Sequence, residues 1–578
     1  MARLIQNGAE LGSATAGVEC DAVSGTVTAQ TVVVRSGTYA YKFAPSASLA
    51  WGENYFAAAD GTGPFYARGY FCFTTFPAAN EPLLFFLDST DTNRPRITFE
   101  SSTNQFFLQQ SGGTKLGSNS ATLTLNHWYR LELKLDATTN PATIEARYVD
   151  CGTSGTDPGG AGTVIASGND NAGVHTASRL RFGLTTNNNS GVLYADDLAV
   201  NSSSGSAQNS WCGSGRIIHL HPAAQGDANG FLVNIGGTAG AANNYTRVNE
   251  IPPDDATSYN ASAVLNAEDL FRCGASGIGT GDTVNVVCVG VRFANLVGAD
   301  ATAAFKTEIE KAASGTKTQS AAIIPNSTSW RSNSATGASL YNLVTYLDPD
   351  GSAWTQATLN TAQIGYIETV ANVRAIAVTN SWLSIDYTPT DVFVVALAGA
   401  GSLTATVTPY QRITASLTGV GSLSATLTPY QRLTVALAGT GSLSATLSPY
   451  QRFTAALTGA GSLTATLTPY QQMQVQLQGA GALAATLTPY QQIVASLGGV
   501  GALTATLTPY QQLLAQLAGA GMLAAFVQTI SPPQPVTFTG VGGSGFPPEM
   551  LQRFLDNPQT QPDWDLADIE ALIALGLL

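Results

Sequence analysis

From Leu403 onward the chain alternates apolar and hydroxylated residues with a period of two. Leu403, Ala405, Val407, Ile413, Ala415, Leu417, Leu423, Ala425 and Leu427 hold odd positions, while Thr404, Thr406, Thr408, Thr414, Ser416 and Thr418 hold even ones. Such alternation predicts β-strands with one apolar face and one hydroxyl face. The pattern returns every twenty residues. Pro-Tyr-Gln begins at Pro409, Pro429, Pro449, Pro469, Pro489 and Pro509, and Gly-x-Gly stands at Gly399/Gly401, Gly419/Gly421, Gly439/Gly441 and on to Gly519/Gly521. Glycine admits turn conformations closed to other residues, and proline presets φ while lacking a ladder donor. Each unit therefore reads as two strands of about six residues, with a turn at each motif.

The rest of the chain alternates less regularly. In residues 1–200, "YARGYFCFTTF" (66–76), "PLLFFLDST" (82–90), "HWYRLELKLD" (127–136), "RLRFGLTT" (179–186) and "GVLYADDLAV" (191–200) are aromatic and β-branched runs between Gly, Asn, Thr and Asp clusters. They predict an antiparallel sandwich. "NSSSGSAQNS" (201–210) has linker composition. Residues 211–390 predict a second sandwich from "RIIHLHP" (216–222), "DTVNVVCVGVRFANL" (282–296), "AAIIPNS" (321–327), "IGYIETV" (364–370), "VRAIAVTN" (373–380) and "WLSIDYTP" (382–389), with a helix expected in "ADATAAFKTEIEKAA" (299–313). Residues 391–528 are the repeat region, 529–548 a Pro/Gly connector, and 549–578 a segment with helix spacing and a plausible N-cap at Asp563. The expected class is mainly β: two jelly-roll-like antiparallel sandwiches, a fibrous β shaft and short C-terminal helices.

Charge decides the environment of the repeats. Between Asp391 and Glu549 the only charged residues are Arg412, Arg432 and Arg452. A free-standing sheet with a Leu/Ala face and such uncharged edges would aggregate. The face must be covered by copies of itself, in successive coils of one chain or in neighbouring chains. Leu403, Leu417, Leu423, Leu427, Leu463 and Leu467 are the expected shaft core. The repeat resembles viral fibre shafts of the triple-β-spiral kind, such as the adenovirus fibre shaft. Repeats there are usually shorter, so the resemblance reaches only the type of shaft. An entwined homotrimer is the expectation, with a single-chain β-solenoid as the rival.

Composition narrows the function. Charged residues make up 11% of the chain, against roughly 25% in an average soluble protein. A net charge of −13 argues against a nucleic-acid binder. The N-terminus lacks an apolar signal region, and no apolar run is long enough for a membrane span. Cys20, Cys72, Cys151, Cys212, Cys273 and Cys288 form no CxxC pair and read as buried reduced thiols. The composition of an extracellular fibre without an export signal suggests a virus particle assembled in the cytoplasm and released by lysis.

"HWYRLELKLD", "RLRFGL" and "GVLYADDLAV" together resemble the end of a concanavalin A-like (laminin-G-like) jelly roll, where a Trp-containing strand precedes paired back-sheet strands and an Asp-Asp-apolar strand closes the domain. The resemblance covers residues 1–200. It implies a glycan- or surface-binding sandwich, sometimes with calcium at the rim, although calcium ligands cannot be matched one by one. Asp196 and Asp197 are expected to end a strand. Exposed aromatics in or beside turns, such as "WGENYF" (51–56), would carry binding. "YTRVNEIPPDDATSY" (245–259) and "LDPDGSAWT" (347–355) resemble a sandwich module of phage tail and virion-surface proteins.

Catalytic chemistry is thin. His219 and His221 lie on one face of a strand but have no third metal ligand in sequence reach. Asp254/Asp255 and Asp348/Asp350 stand beside Pro and Gly, as turn residues do. "GIGTGD" (277–282) lacks the lysine and the helix of a phosphate loop. The reading is a non-enzymatic bacteriophage fibre on the virion surface, of tail or head (capsid), that displays sandwich heads for host-glycan attachment. It would need no cofactor, and would contact other virion proteins through residues 549–578. A capsid-decorating head fibre, a glycan depolymerase and a bacterial adhesin are the alternatives.

Overall fold

The computed structural model describes residues 2–540 apart from 46–47, 58, 172–174, 187–189, 239–240, 297–302, 326, 333–342, 371–375, 390–391, 408–411, 428–431, 448–451, 468–471, 479–480, 488–491, 499–500, 508–511, 519–521 and 528–536. It divides into two compact units, Met1–Thr390 and Asp391–Leu578.

The first unit holds two antiparallel two-sheet sandwiches. In the first, an eight-stranded sheet contains Phe65–Thr75, Trp128–Asp136, Ala142–Asp150 and Val192–Ser202, and faces a seven-stranded sheet built from Ala50–Tyr55, Glu81–Leu87, Asn93–Glu100, Gln105–Gln109 and Arg179–Leu184, among others. Alternation along these strands sends Phe71, Phe73, Leu131, Leu133, Leu84, Phe86, Leu180 and Phe182 into one shared core. In the second sandwich, Thr283–Asn295 and Ile376–Thr388 pair along almost their full length. Their sheet faces a second one carrying Glu268–Cys273, Phe305–Glu310 and Gln363–Glu368. The two strands expected at 373–380 and 382–389 are one.

Several expectations are corrected here. The segment 299–313 is not helical where it is described, because Phe305–Glu310 is a strand. Phe305 and Ile309 are fully buried on one face while Lys306, Glu308 and Glu310 alternate with them. Period two was hidden under Ala, Glu and Lys, which favour helices. Where it is described, "AAIIPNS" forms no strand, but a bridge from Ile323 to Phe305 and a backbone hydrogen bond from Asn295 to Ser327. "WGENYF" is strand rather than turn, and its glycine is a packing glycine: a Cβ on Gly52 would press on the Phe182 ring. Asp196 and Asp197 lie inside Val192–Ser202, at a bulge, with Asp197 in the left-handed region at φ 52°. Of the expected linker, Asn201 and Ser202 complete that same strand. The only α-helix among the described residues, Gln356–Thr361, starts at a reciprocal cap between Thr355 and Thr358. All six cysteines are free, and five are buried. Burial pushes the Cys20 and Cys72 thiols up to about 12.

The second unit is a parallel ladder. Val392–Val407, Arg412–Leu427, Arg432–Leu447 and Arg452–Leu467 are runs of 16 residues, each paired with the next repeat twenty positions on. Register places Leu403, Leu423, Leu443 and Leu463 in one ladder, and Leu427, Leu447 and Leu467 in another. Leu397, Leu417 and Leu437 form a third. This is the solenoid arrangement, in which each coil pairs with the next coil of the same chain.

The glycines expected as turns between strands are also corrected. Gly399 and Gly401 lie inside Val392–Val407, Gly419 and Gly421 inside Arg412–Leu427, and Gly439 and Gly441 inside Arg432–Leu447. They are ladder residues: Gly399 pairs with Gly419 and Gly419 with Gly439, while Gly401 pairs with Gly421 and Gly421 with Gly441. The run still cannot be straight. Val392 pairs with Arg412, which follows Val407 by five steps. Five extended steps plus one strand spacing bring the two ends within about 23 Å, whereas a straight run would span about 50 Å. The run must therefore fold back near its midpoint, where Gly-x-Gly stands. Because every coil bends at the same register, each glycine still meets its copy in the next coil, and the bend interrupts no pairing. The change of direction expected at Gly-x-Gly is therefore kept, and what is absent in these first repeats is the strand break expected with it. In later repeats the fold is explicit, because Gln472–Gln478 and Gly481–Leu487 are separate strands of 7 residues in separate ladders.

Ser442, Ser444, Ser462 and Thr464 are exposed, in keeping with an outward hydroxyl face. Thr537–Gly540, within the expected connector, adds a short last strand. Pro409, Pro429, Pro449, Pro469, Pro489 and Pro509, and the segment 549–578, lie outside the described residues.

Candidate binding face

The two sheets of the first sandwich treat their outer faces differently. Part of the outer face of the eight-stranded sheet is buried under charged groups shared with the second sandwich. Arg3 Nη1 lies 2.6 Å and Arg68 Nη2 3.2 Å from Asp386 Oδ2, with all three side chains at most 1% exposed. Arg35 pairs with Asp197, Ser36 Oγ donates to Asp197 Oδ1 at 2.6 Å, and the Arg35 and Ser36 backbone N–H groups donate to Asp196. Gln6 Nε2 donates to Ser384 Oγ at 2.8 Å, and Arg292 Nη1 donates to the Gly17 carbonyl at 2.6 Å. Burial would raise the Asp386 pKa, but Arg68 and Arg3 more than offset it and hold it below the ordinary value. Asp196 is pushed well up by burial, then by Asp197 and Glu10. These groups join two domains.

That arrangement bears on Asp196 and Asp197 as ligands for the rim calcium. Asp196 and Asp197 are fully buried and bonded to protein donors. Among the described residues no group of three or more His, Cys, Asp or Glu is placed to hold a metal. The pair does not suit the ion the resemblance implied.

The other sequence candidates are also structural. The His219 ring stacks on Trp382 at 6.0 Å, its Nε2 lies 3.7 Å from Glu19 Oε1, and the His221 ring is 6.4 Å away. Burial depresses both imidazoles, His221 to about 4. Asp254 accepts from the Ser258 N–H across a short 3-10 turn, and Asp348 closes the turn to Ser352, with Lys311 bridging Asp348 and Asp350. Asp282 of "GIGTGD" accepts from the Gly279 N–H, and a strand follows it.

The outer face of the seven-stranded sheet differs. The Arg181–Glu53, Arg181–Phe85 and Arg96–Gln109 pairings put Glu53, Arg181, Phe85, Arg96 and Gln109 in one row across the strands, because directly paired residues share a face. Trp51 and Tyr55 lie two positions to either side of Glu53 on the same face. The Arg181 guanidinium carbon lies 3.9 Å from the Trp51 ring centroid and that of Arg179 lies 4.5 Å from the Tyr55 ring. Glu53 anchors both arginines, with Arg181 Nε donating to it at 2.6 Å and Arg179 at ion-pair distance of 3.5 Å. Burial raises the Glu53 pKa, opposed by Arg181 and then Arg179. Further along, Lys115 Nζ lies 5.0 Å from the Phe107 ring. Phe85 and Phe107 are 2% and 4% exposed although they stand outside the sandwich core. Rings and cations alternate here, with Trp51, Tyr55, Arg96, Arg179 and Arg181 partly exposed and Phe85 and Phe107 buried, in a geometry suited to stacking on and hydrogen-bonding a flat polar ligand.

The sequence pointed to Trp51 and Tyr55 as exposed aromatics but missed their arginines. The missed signal lay in "RLRFGL" and "NRPRITFE", where Arg alternates with apolar residues at period two.

No family model and no curated protein matches the chain. Among solved structures it is similar to botulinum neurotoxin type C, studied for cell entry through two ganglioside molecules, at 10% identity over 35% of this chain and 47% of that one, with a TM-score of 0.24. It is similar to a carbohydrate esterase of the Shiga toxin-encoding bacteriophage phi24B at 17% identity, 35% and 99% coverage and a TM-score of 0.25. It is also similar to the carbohydrate-binding module CBM66 of Bacillus subtilis at 12% identity, 31% and 94% coverage and a TM-score of 0.21. The chain thus spans about half of the toxin and nearly all of the two smaller proteins. Identities and TM-scores this low carry no weight for ligand or activity.

Proposed function

We propose that the chain is a fibre-type protein on a bacteriophage virion surface, whose paired sandwiches attach to a host-surface glycan. The observation that carries the binding role is the outer face of the seven-stranded sheet, where Trp51–Arg181 and Tyr55–Arg179 stacks stand over buried Glu53. The opposite sheet carries the sealed ionic contacts with the second sandwich over Arg3, Arg35 and Arg68. The fibre role is supported by the coil, whose twenty-residue units add length and carry no acid.

The role is attachment without bond cleavage. Glu10 and Glu19, whose pKa values burial raises, are buried and occupied by backbone N–H donors. The homotrimer loses its first argument, because the apolar ladders find neighbours within one chain. Synthesis in the host cytoplasm and docking to other virion proteins through 549–578 belong to the same proposal. No helix among the described residues is long and apolar enough to cross a membrane.

The test uses the full-length chain with polysaccharide extracted from host cells. Saturable binding without a drop in polymer length, lost on Trp51→Ala, is expected. Polymer shortening would turn the reading to a depolymerase. Immunogold labelling of intact particles would place the chain on the tail or capsid, and unlabelled particles would remove the virion role.

A further inference from the structure

Among the described cations of this face, Arg96 differs from the rest. Arg181 is neutralised by Glu53, Arg179 by Glu53 and Asp91, and Lys115 by Glu100 at 3.0 Å. Arg96 is half-buried, yet among the described residues no carboxylate pairs with it. Its Nε donates to Gln109 Oε1 at 2.6 Å, and Thr98 Oγ1 donates to the same oxygen at 3.1 Å. Gln109 is held in turn by its own amide, which donates to the Gly113 carbonyl. The side chain is thereby oriented through Nε, while its two terminal nitrogens donate to nothing among the described residues and the residue is partly exposed. Burial lowers the pKa of the guanidinium, opposed only by the more distant charge of Asp170.

A desolvated cation held without a counter-ion is costly unless a ligand completes it. A guanidinium presenting both terminal nitrogens matches the two oxygens of a carboxylate, with which it forms parallel charge-assisted hydrogen bonds. Phe85 lies between Arg96 and Arg181 in the row. From Arg96 to Glu53 is three strand spacings, about 14 Å, which is long enough for several sugar rings rather than one. We infer that this face takes an acidic glycan, whose sugar carboxylate is received by the guanidinium fork of Arg96. This rests on the face being a glycan-binding one, and adds the chemical class of the glycan and the residue that selects it.

The experiment uses the full-length chain and three carboxylated polymers: polygalacturonate, hyaluronate and polysialate, each beside its carboxyl-reduced neutral counterpart. At least one acidic polymer should bind, weaken as salt is raised, and lose about tenfold or more in affinity on Arg96→Gln. Arg96→Lys should lose nearly as much, because an ammonium keeps the charge but not the fork. Thermal melting of both variants checks that the sandwich is intact. Full binding by Arg96→Lys would overturn the fork. Equal binding of acidic and reduced polymers would overturn the carboxylate while leaving glycan attachment standing. Binding of host polysaccharide with no response to any acidic polymer would do the same. No binding to either host polysaccharide or acidic polymer would remove both readings together.

Discussion

The two outer faces of the first sandwich use the same residue types to opposite ends. On the eight-stranded sheet, Arg3, Arg35 and Arg68 meet Asp197 and Asp386 at side-chain exposures of 1% or less. On the seven-stranded sheet, Arg179 and Arg181 meet Glu53 and rings at exposures of 18% and 15%. Both faces pair cations with acids, and only their access to water differs. A sealed pair cannot be broken cheaply, because the remaining charge is stranded without solvent. A half-open pair can exchange its partner for water or a ligand. Full burial makes a joint, and partial burial leaves a surface that can still bind.

The sharpest way to break this contrast is Asp386→Ala. It strands Arg3 and Arg68, and should cost about 3–5 kcal/mol of stability, the range for removing one partner of a buried ion pair. Denaturant unfolding of the full-length protein measures it. A cost under about 1 kcal/mol would mean that water already reaches the joint. Next in size is Gly215→Ala. A Cβ there would fall inside contact distance of both Arg68 Nη1 and Asp386 Oδ1, forcing the pair apart. Overpacking of this kind costs about 1–3 kcal/mol. Stability unchanged by this variant would show that the pair can shift aside without loss.

Acidity sharpens the same contrast. Burial raises Glu10 to about 8 and Glu19 to about 7 beside the joint, and Asp269 and Glu368 to about 7 in the second sandwich. A carboxyl whose folded value is raised stabilises fully below its unfolded value, and loses that contribution as pH rises through the folded one. Stability should therefore increase as pH falls from about 8 to about 6.5. Below 6.5, His219 and His221, whose folded values are depressed, oppose the trend, because their contribution is lost as pH falls toward those values. Asp386 is lost last, below its unfolded value of 3.8. Melting temperature should rise as pH falls from 8 to 6.5 and keep rising toward the unfolded carboxyl values, because two histidines offset only part of the gain from four carboxyls, and Glu10→Gln should reduce the slope. A flat curve between 8 and 6.5 would show that these carboxyls are ionised in the folded protein.

What the sequence revealed follows from how far each interaction reaches. Strands such as Trp128–Asp136 and Phe65–Thr75 were legible because alternation is local. The repeat ladder was legible because its partners stand at a fixed offset, although that offset alone could not say whether they belong to one chain or three. The joint was not legible, since Arg3 and Asp386 are 383 positions apart and nothing near either announces the other. Asp196 and Asp197 looked like a strand end because acids are rare inside strands. Their bulge places both on the sealed side, where Arg35 and Ser36 meet them. The binding face lay between these extremes. Trp51 and Tyr55 were visible as aromatics, but a row that crosses the sheet from Glu53 through Arg181 and Phe85 to Arg96 joins strands whose order only the fold sets.

The smallest expected effect is the most discriminating. Arg147 stacks on Trp211 with its guanidinium carbon 4.0 Å from the ring, much as Arg181 stacks on Trp51 at 3.9 Å. Arg147 belongs to the eight-stranded sheet, however, and Tyr66 packs against the same indole at 5.4 Å. A half-exposed cation–ring stack contributes about 0.5–1 kcal/mol, so Trp51→Ala and Trp211→Ala should each lower stability by about 1 kcal/mol. Thermal melts should barely distinguish the two variants. Glycan binding should separate them fully, lost in Trp51→Ala and kept in Trp211→Ala, because only the first stack stands beside Glu53, Tyr55 and the row leading to Arg96. Equal loss in both would mean that the measured binding comes from scattered aromatic stacks, and the distinction between the two faces would fall.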